Sequence, residues 1–266
     1  MKQISFAIGT GRCGTKFLHE IFIKHKDVAS VHERAPLNDT FHRFCKWYRL
    51  DIDHSGFIET KRREIKRDLE YHTISFESSA YLSLSIVELF DAFKSKFILL
   101  VRSPRKVIES YIRKGWYDHE FYFDPLKAKV PTFQPDNSQF HHFLGRTLPR
   151  EGEFLKWRDL TRVGKLAWFW KVLNQQVLEQ FSKIPSEYSK IQQIETLDWP
   201  TYRDICGYIG TPVSLNSKEF SKIVTQKPNS NLSKAKDMSN WSEAEEAEFL
   251  QIIDEDLLAV FGYDYI

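Results

Sequence analysis

What the sequence has little of narrows the field first. It holds only three cysteines, Cys13, Cys45 and Cys206, an odd number at wide spacings. That pattern excludes a disulfide framework and points to a reducing compartment. No apolar run approaches the roughly 18 residues that cross a membrane. Charge of one sign is not in excess either: 38 basic side chains against 36 acidic ones leave a net charge of +2. Such a balance gives no reason to expect nucleic acid. There are no internal repeats or low-complexity tracts, and no Cys/His cluster suggests a metal. The opening MKQISFAIGTG runs straight into a glycine loop and is too short and polar for a signal peptide. The expectation is a soluble, cytoplasmic protein. What is present is a chain of 266 residues, 42% hydrophobic and 28% charged. It can bury a sizeable core and is read as one α/β domain over 1–266.

Read in order, the chain alternates between strand and helix patterns. Ile4 to Ile8 is a short β-compatible run that ends at glycines. From Thr15 the period changes, and Phe17, Leu18, Ile21 and Phe22 form one helical face. Val28 to His32 reads as a second strand and Thr73 to Phe76 as a third, with a helix following through Phe93. Between them, KRREIKRDLE reads as a solvated helix face. Lys96 to Val101, KFILLV, is the most strand-like segment, with the near-continuous apolar character of a parallel strand covered on both faces. Ser103 and Pro104 then supply an N-cap and a first helical residue. A helix from Val163 to Phe181, a weak strand at Ile191 to Ile194, and a capping box at Ser242 opening a helix to about Phe261 complete the pattern. The expected fold is α/β, a central parallel sheet flanked by helices. Residues 115–165 read as an aromatic, proline-rich excursion over a site or a partner.

The glycine loop carries the first chemistry. Gly9 and Gly14 have P-loop spacing, but Thr15-Lys16 inverts the Lys-then-Ser/Thr order of a P-loop; Gly9, Gly11 and Gly14 also satisfy the dinucleotide fingerprint. Backbone N–H groups at a helix start, brought close by glycine, bind anions. Arg12, Thr15 and Lys16 favour a highly charged one. A plain strand-to-helix turn is the bland alternative. Glu33, at the end of the second strand, sits where an NAD enzyme keeps its ribose-binding acid. Against that reading, Thr15-Lys16-Phe17 opens the helix with bulk and positive charge. A kinase reading lacks the apolar strand ending in a magnesium-binding Asp.

The best apolar strand ends in Arg102 instead. A cation there faces the crevice in which parallel α/β sheets bind ligands. Ser110 follows Ser103 by seven residues, about two helical turns, so Arg102 and Ser110 are expected to converge on one phosphate, apart from the anion at the glycine loop. Two phosphate-type positions in one crevice suit a nucleoside phosphorylated at both ends. Taken singly, Arg102 is a surface ion pair and Ser110 a helix-surface hydroxyl.

On these residues the sequence resembles the sulfotransferase superfamily that uses 3′-phosphoadenosine 5′-phosphosulfate (PAPS). GTGRCGTKFL is similar to that family's 5′-phosphosulfate loop in its Arg form. KFILLVRSPRKVIESYI is similar to its 3′-phosphate motif, a strand-end Arg followed eight residues later by Ser, here Arg102 and Ser110. The interval from Arg12 through HKDVASVHER to Glu33 resembles the tyrosylprotein sulfotransferase branch. IQQIETLDWP and LAVFGYDY resemble the family's late strand and its ending. The resemblance covers about the first 115 residues and fragments near the end.

The resemblance implies a P-loop-like sulfotransferase architecture and PAPS as co-substrate, with PAP as product and no metal. Gly11, Arg12, Cys13, Gly14, Thr15, Lys16 and Phe17 would hold the phosphosulfate, and Arg102 and Ser110 the 3′-phosphate. Arg12 would steady charge on the departing nucleotide. Glu33 would be the base, with His32 as its rival; adjacent strand residues face opposite ways, so one of the two is expected in the crevice. Cys13 is read as a small loop residue. Trp116, Tyr117, Phe121, Tyr122 and Phe123 are candidates for an acceptor pocket or for plain core, and Lys234 and Lys236 for phosphate contacts. Where the family often carries a Lys near the third strand, this chain offers Glu77, Ser78 and Ser79. The acceptor is a hydroxyl on a small molecule, glycan or lipid. A nucleotide-binding module without turnover and an interaction scaffold are the non-enzyme alternatives.

Overall fold

The computed structural model describes residues 2–117, 147–150, 152–226 and 241–264. Phe121, Tyr122, Phe123, Lys234 and Lys236 lie outside them. The elements run β1 (Gln3–Ile8), α1 (Thr15–Phe22), β2 (Val28–His32), α2 (Pro36–Trp47), α3 (Ser55–Tyr71), β3 (Ile74–Ser78), α4 (Ile86–Phe93), β4 (Lys96–Val101) and α5 (Pro104–Arg113). After these come α6 (Phe154–Asp159), α7 (Arg162–Phe181), β5 (Ser189–Gln193), α8 (Trp199–Ile209), α9 (Ser217–Gln226), α10 (Glu243–Ile252) and α11 (Glu255–Val260). The five strands form one parallel sheet in the order β2-β3-β1-β4-β5.

Both faces of the sheet are covered, and the alternation of side chains along each strand assigns them. Phe6 and Ile8 of β1, with Phe97, Leu99 and Val101 of β4, pack under α4, α5, α7 and α10. Ala7, Ile98, Leu100, Ile74 and Phe76 point the other way, against Leu18, Ile21 and Phe22 of α1 and Tyr202, Ile205 and Ile209 of α8. The continuous apolar run of β4 is explained by this double cover.

Strand order decides between the two glycine-loop readings. In the dinucleotide-binding fold β2 lies beside β1; here β3 intervenes, in register from Gln3 opposite Ile74 to Ala7 opposite Ser78. Glu33 is therefore two strands away from the glycine loop's own strand. The NAD reading falls on that point. Among the described residues none of the five strands ends in Asp, so no described strand offers the metal-holding residue of the kinase reading.

Several local expectations are corrected. The charged run is not wholly solvated: Lys61 of α3 is 1% exposed and ion-paired to Glu77 and Asp39. The helix after β3 begins only at Ile86, because Ser79 caps a short 3-10 turn over Ala80–Leu82 first. The terminal helix opens with the expected capping box but breaks, since Asp254 caps α11 by accepting from the N–H groups of Asp256 and Leu257. Within 115–165, Trp116 and Tyr117 belong to the core. α6 also falls there, at six residues too short for its period to register in the sequence.

Candidate functional site

The site is assembled where the strands end. β1 runs into Gly9 and the loop to Gly14; α1 leaves that loop on one face of the sheet, whereas the segments after β3 and β4 cross to the other. Neighbouring strands whose helices depart to opposite faces open a crevice between them, the usual ligand position in such sheets. The glycine loop lies in it.

Its backbone is built for close approach. Gly11 has φ +85°, and a Cβ there would overlap the Tyr111 hydroxyl, which donates to the carbonyl of Thr10 at 2.5 Å. Gly14 caps α1 at φ +105°, and a side chain would meet Ile194. Between them Arg12 takes φ +57°, a left-handed conformation that costs a residue with a Cβ about 1–2 kcal/mol. The first helical bond runs from the Leu18 N–H to the Gly14 carbonyl at 3.0 Å, so the N–H groups before it are outside the helical ladder. No acidic side chain occupies the first turn of α1, and Lys16 is exposed there. An anion is the ligand that this geometry accepts.

Arg12, Arg102 and Ser110 form one hydrogen-bonded group. Arg12 Nε donates to Ser110 Oγ at 2.8 Å, and Arg102 Nη1 donates to the Arg12 carbonyl at 3.1 Å. The sequence placed Ser110 with Arg102, apart from the loop; the structure puts Arg12 between them, because the left-handed Arg12 turns its side chain towards α5. Ser103 stands at the N-cap of α5 without a side-chain cap bond, and its N–H donates to Glu195 Oε1 at 3.0 Å. The Arg102 carbonyl accepts from Trp170 Nε1 at 3.2 Å, which ties the strand end to α7. Cys13 is fully buried, and burial pushes its thiol up to about 11, against backbone N–H groups that pull it back in part. It packs in the core against α1 and α8.

Glu33 and His32 lie at the end of β2. The alternation expected to separate them fails, because Glu33 adopts φ +48° and leaves the strand. His32 Nε2 comes 3.9 Å from Glu33 Oε1. Burial lowers the His32 pKa, so the ring is neutral near pH 7. A carbonyl can only accept, so its Nδ1 carries the proton and donates to Ser78 O at 2.9 Å. The Nε2 lone pair then faces Glu33. Burial raises the Glu33 carboxyl above its ordinary range, while the guanidinium groups of Arg43 and Arg12 act to lower it. A carboxylate so tuned beside cations can take a proton from a bound hydroxyl.

Three neighbours were missed in the sequence. Arg43 of α2 is 2% exposed, with its guanidinium 5.0 Å from the centre of the Tyr81 ring. Tyr81 is pushed up to about 12 by burial and then by Glu33. Tyr111 packs beneath Gly11. Only Tyr111, next to Ser110 in the motif, left a signal; nothing in the period of α2 marks Arg43 as buried.

No family profile and no curated protein matches the chain. Solved structures do. The sulfotransferase domain from the Synechococcus PCC 7002 olefin synthase aligns at 14% identity and TM-score 0.51, covering 100% of this chain and 98% of its own. The sulfotransferase domain from the curacin biosynthetic pathway aligns at 17% and 0.52, covering 100% and 93%. Sulfotransferase STF9 from Mycobacterium avium aligns at 11% and 0.57, covering 99% and 78%. A five-stranded parallel sheet in the order 2-3-1-4-5, flanked by helices and matched along its whole length, has the fold of the sulfotransferase superfamily.

Proposed function

We propose that the chain is an enzyme that moves a sulfuryl group from PAPS to an acceptor hydroxyl. The observation that carries this reading is the Arg12–Ser110–Arg102 group beside a left-handed glycine loop, with Glu33 at the same edge of the sheet. These residues fit a nucleotide with anionic groups at two positions: an anion-accepting helix start on one side, a strand-end guanidinium and a helix hydroxyl on the other. The bound nucleotide supplies the activated sulfuryl group.

The chain supplies position and charge. The loop from Gly11 through Phe17 holds the phosphosulfate end through N–H groups, and Arg102 with Ser110 holds the 3′-phosphate. Arg12 steadies charge on the departing side; a guanidinium stays protonated at neutral pH and offers paired donors. Glu33 takes the acceptor's proton, a contribution typically worth ~10²–10⁴-fold, and fixed dipoles at a preorganised site supply much of the rest. Among the described residues no group of His, Cys, Asp or Glu has metal-binding form, and no helix is long and apolar enough to cross a membrane. The acceptor class proposed is a hydroxyl on a small molecule, glycan or lipid.

The test has two parts. PAP should raise the melting temperature with the logarithm of its concentration, while NADH and ATP do so far less. Labelled PAPS offered with sugars, phenols, lipid alcohols, small alcohols and tyrosine peptides should then yield a sulfated product. PAP binding without turnover on any acceptor favours a nucleotide-binding module; no nucleotide binding at all favours a scaffold and refutes the proposal.

A further inference from the structure

Beneath the Glu33 turn lies a buried ionic cluster that neither the fold nor the anion site uses. Lys61 Nζ of α3 sits 3.0 Å from both carboxylate oxygens of Glu77 and 3.1 Å from Asp39 Oδ2. Lys61 and Asp39 are each 1% exposed and Glu77 is 4% exposed. A buried ion pair is a poor stabiliser compared with apolar side chains of the same size, so its presence calls for a reason.

The backbone of residues 33 and 34 gives one. After His32 the chain turns away from β3 and loses its ladder partners. The Glu33 N–H still reaches Ser78 O at 3.0 Å, and the next N–H, of Arg34, donates to Glu77 Oε1 at 3.3 Å. Glu77 is placed for this by register, opposite Val31 on β3. The Arg34 side chain is fixed separately, by two bonds to Asp68 at 3.1 and 2.6 Å. An apolar residue at position 77 could fill the volume, but it could not accept from Arg34 N–H. A buried carboxylate there is costly unless a cation meets it, and Lys61 does so at 3.0 Å. Asp39, in the first turn of α2, joins the helix that follows the turn to the same ammonium.

We propose that Glu77 and Lys61 are positioning residues that hold Glu33 in its left-handed conformation, with its carboxylate at the crevice. The proposal rests on Glu33 being the base. Two paired variants isolate the hydrogen bond from the charges. Both are made in an Asp39→Asn background, so that no buried carboxylate is left without its cation. Lys61→Met with Glu77→Gln removes the ion pair and keeps an acceptor for the Arg34 N–H. Lys61→Met with Glu77→Leu removes both. Measured with labelled PAPS and the acceptor that the parent chain turns over best, the Gln pair should keep most of kcat. The Leu pair should lose on the order of 10²-fold, the usual cost of a small misplacement, with PAP affinity equal in the two.

Equal kcat in the two pairs would overturn the proposal, as would PAP affinity falling in step with kcat. Should the parent show no turnover, the functional reading fails, and the positioning role is then judged by two other readouts. Hydrogen exchange at the Arg34 amide should be slow in the parent and the Gln pair and fast in the Leu pair. The NMR titration of the Glu33 carboxyl should move in both pairs, since both remove the Glu77 charge that raises it, and should move further in the Leu pair. If the Leu pair does not fold, an unprotected Arg34 amide in the parent refutes the role and a protected one, unchanged in the Gln pair, supports it.

Discussion

Changing Lys61 to Met without touching its partners should cost more stability than any other single change near the site. The methionine keeps the length and apolar stem of the lysine, so little packing is lost; what goes is the ammonium within 3.0–3.1 Å of Glu77 and Asp39 and within 3.5 Å of Glu64. Removing one partner of a buried pair leaves a charge in the core and typically costs about 3–5 kcal/mol. Against a total stability of about 5–15 kcal/mol, that is a large share. At about 2–4 °C per kcal/mol for a chain of this size, the melting temperature should fall by roughly 6–20 °C.

The loss should depend on pH with a definite sign. Burial raises the Asp39 carboxyl in the parent, and Lys61 opposes that rise; without Lys61 the value goes higher still. A carboxyl whose folded pKa is raised contributes stability below its unfolded pKa, and that contribution is lost as pH rises through the folded value. The deficit of the variant should therefore be largest at and above neutrality and shrink towards the ordinary carboxylate range. Urea unfolding of parent and variant at pH 5 and pH 7.5, with calorimetry, measures both quantities. A deficit under about 1 kcal/mol at pH 7.5 would refute the reasoning, as would one that grows in acid.

Other expectations concern the site itself. Glu33→Gln should lower kcat by about 10²–10⁴-fold with PAP affinity unchanged, the pattern of a group acting in the transition state, while His32→Asn does much less; the opposite ranking would make His32 the base. Because burial raises the Glu33 pKa, the acid limb of kcat/KM should lie above the ordinary glutamate range and vanish in the Gln variant. Arg102→Ala should weaken PAP about 10- to 100-fold, from lost charge-assisted bonds, and adenosine 5′-phosphosulfate less; equal losses in isothermal titration would place Arg102 away from the 3′-phosphate. Gly11→Ala should destabilise by about 2–4 kcal/mol, since strain at positive φ adds to displacement of the Tyr111 hydroxyl from Thr10 O, and an unchanged urea midpoint would contradict the loop geometry.

The sequence by itself determined the elements whose pattern is local. β2 and β4 were legible to the residue because apolar runs with sharp polar ends depend on no distant contact, and the glycine loop announced itself because positive φ selects glycine. The pairing of strands was not legible. A strand's hydrophobicity states that it is covered, not which neighbour it has. The sequence argues against the dinucleotide reading through Thr15-Lys16-Phe17 and Arg102, and the order 2-3-1-4-5 adds the strand pairing that rules it out. The same limit hid Lys61, which shares its pattern with the solvated charges around it, and Arg43, buried on a helix with a polar period. A long cation at a helix position points to water unless a carboxylate from another element meets it. Glu33 and His32 show the remaining case. Local alternation sends them to opposite faces, and a single left-handed residue at φ +48°, secured to β3 by bonds from the Glu33 and Arg34 amides, brings them to one edge; backbone strain of that kind exists only where tertiary contacts outweigh it.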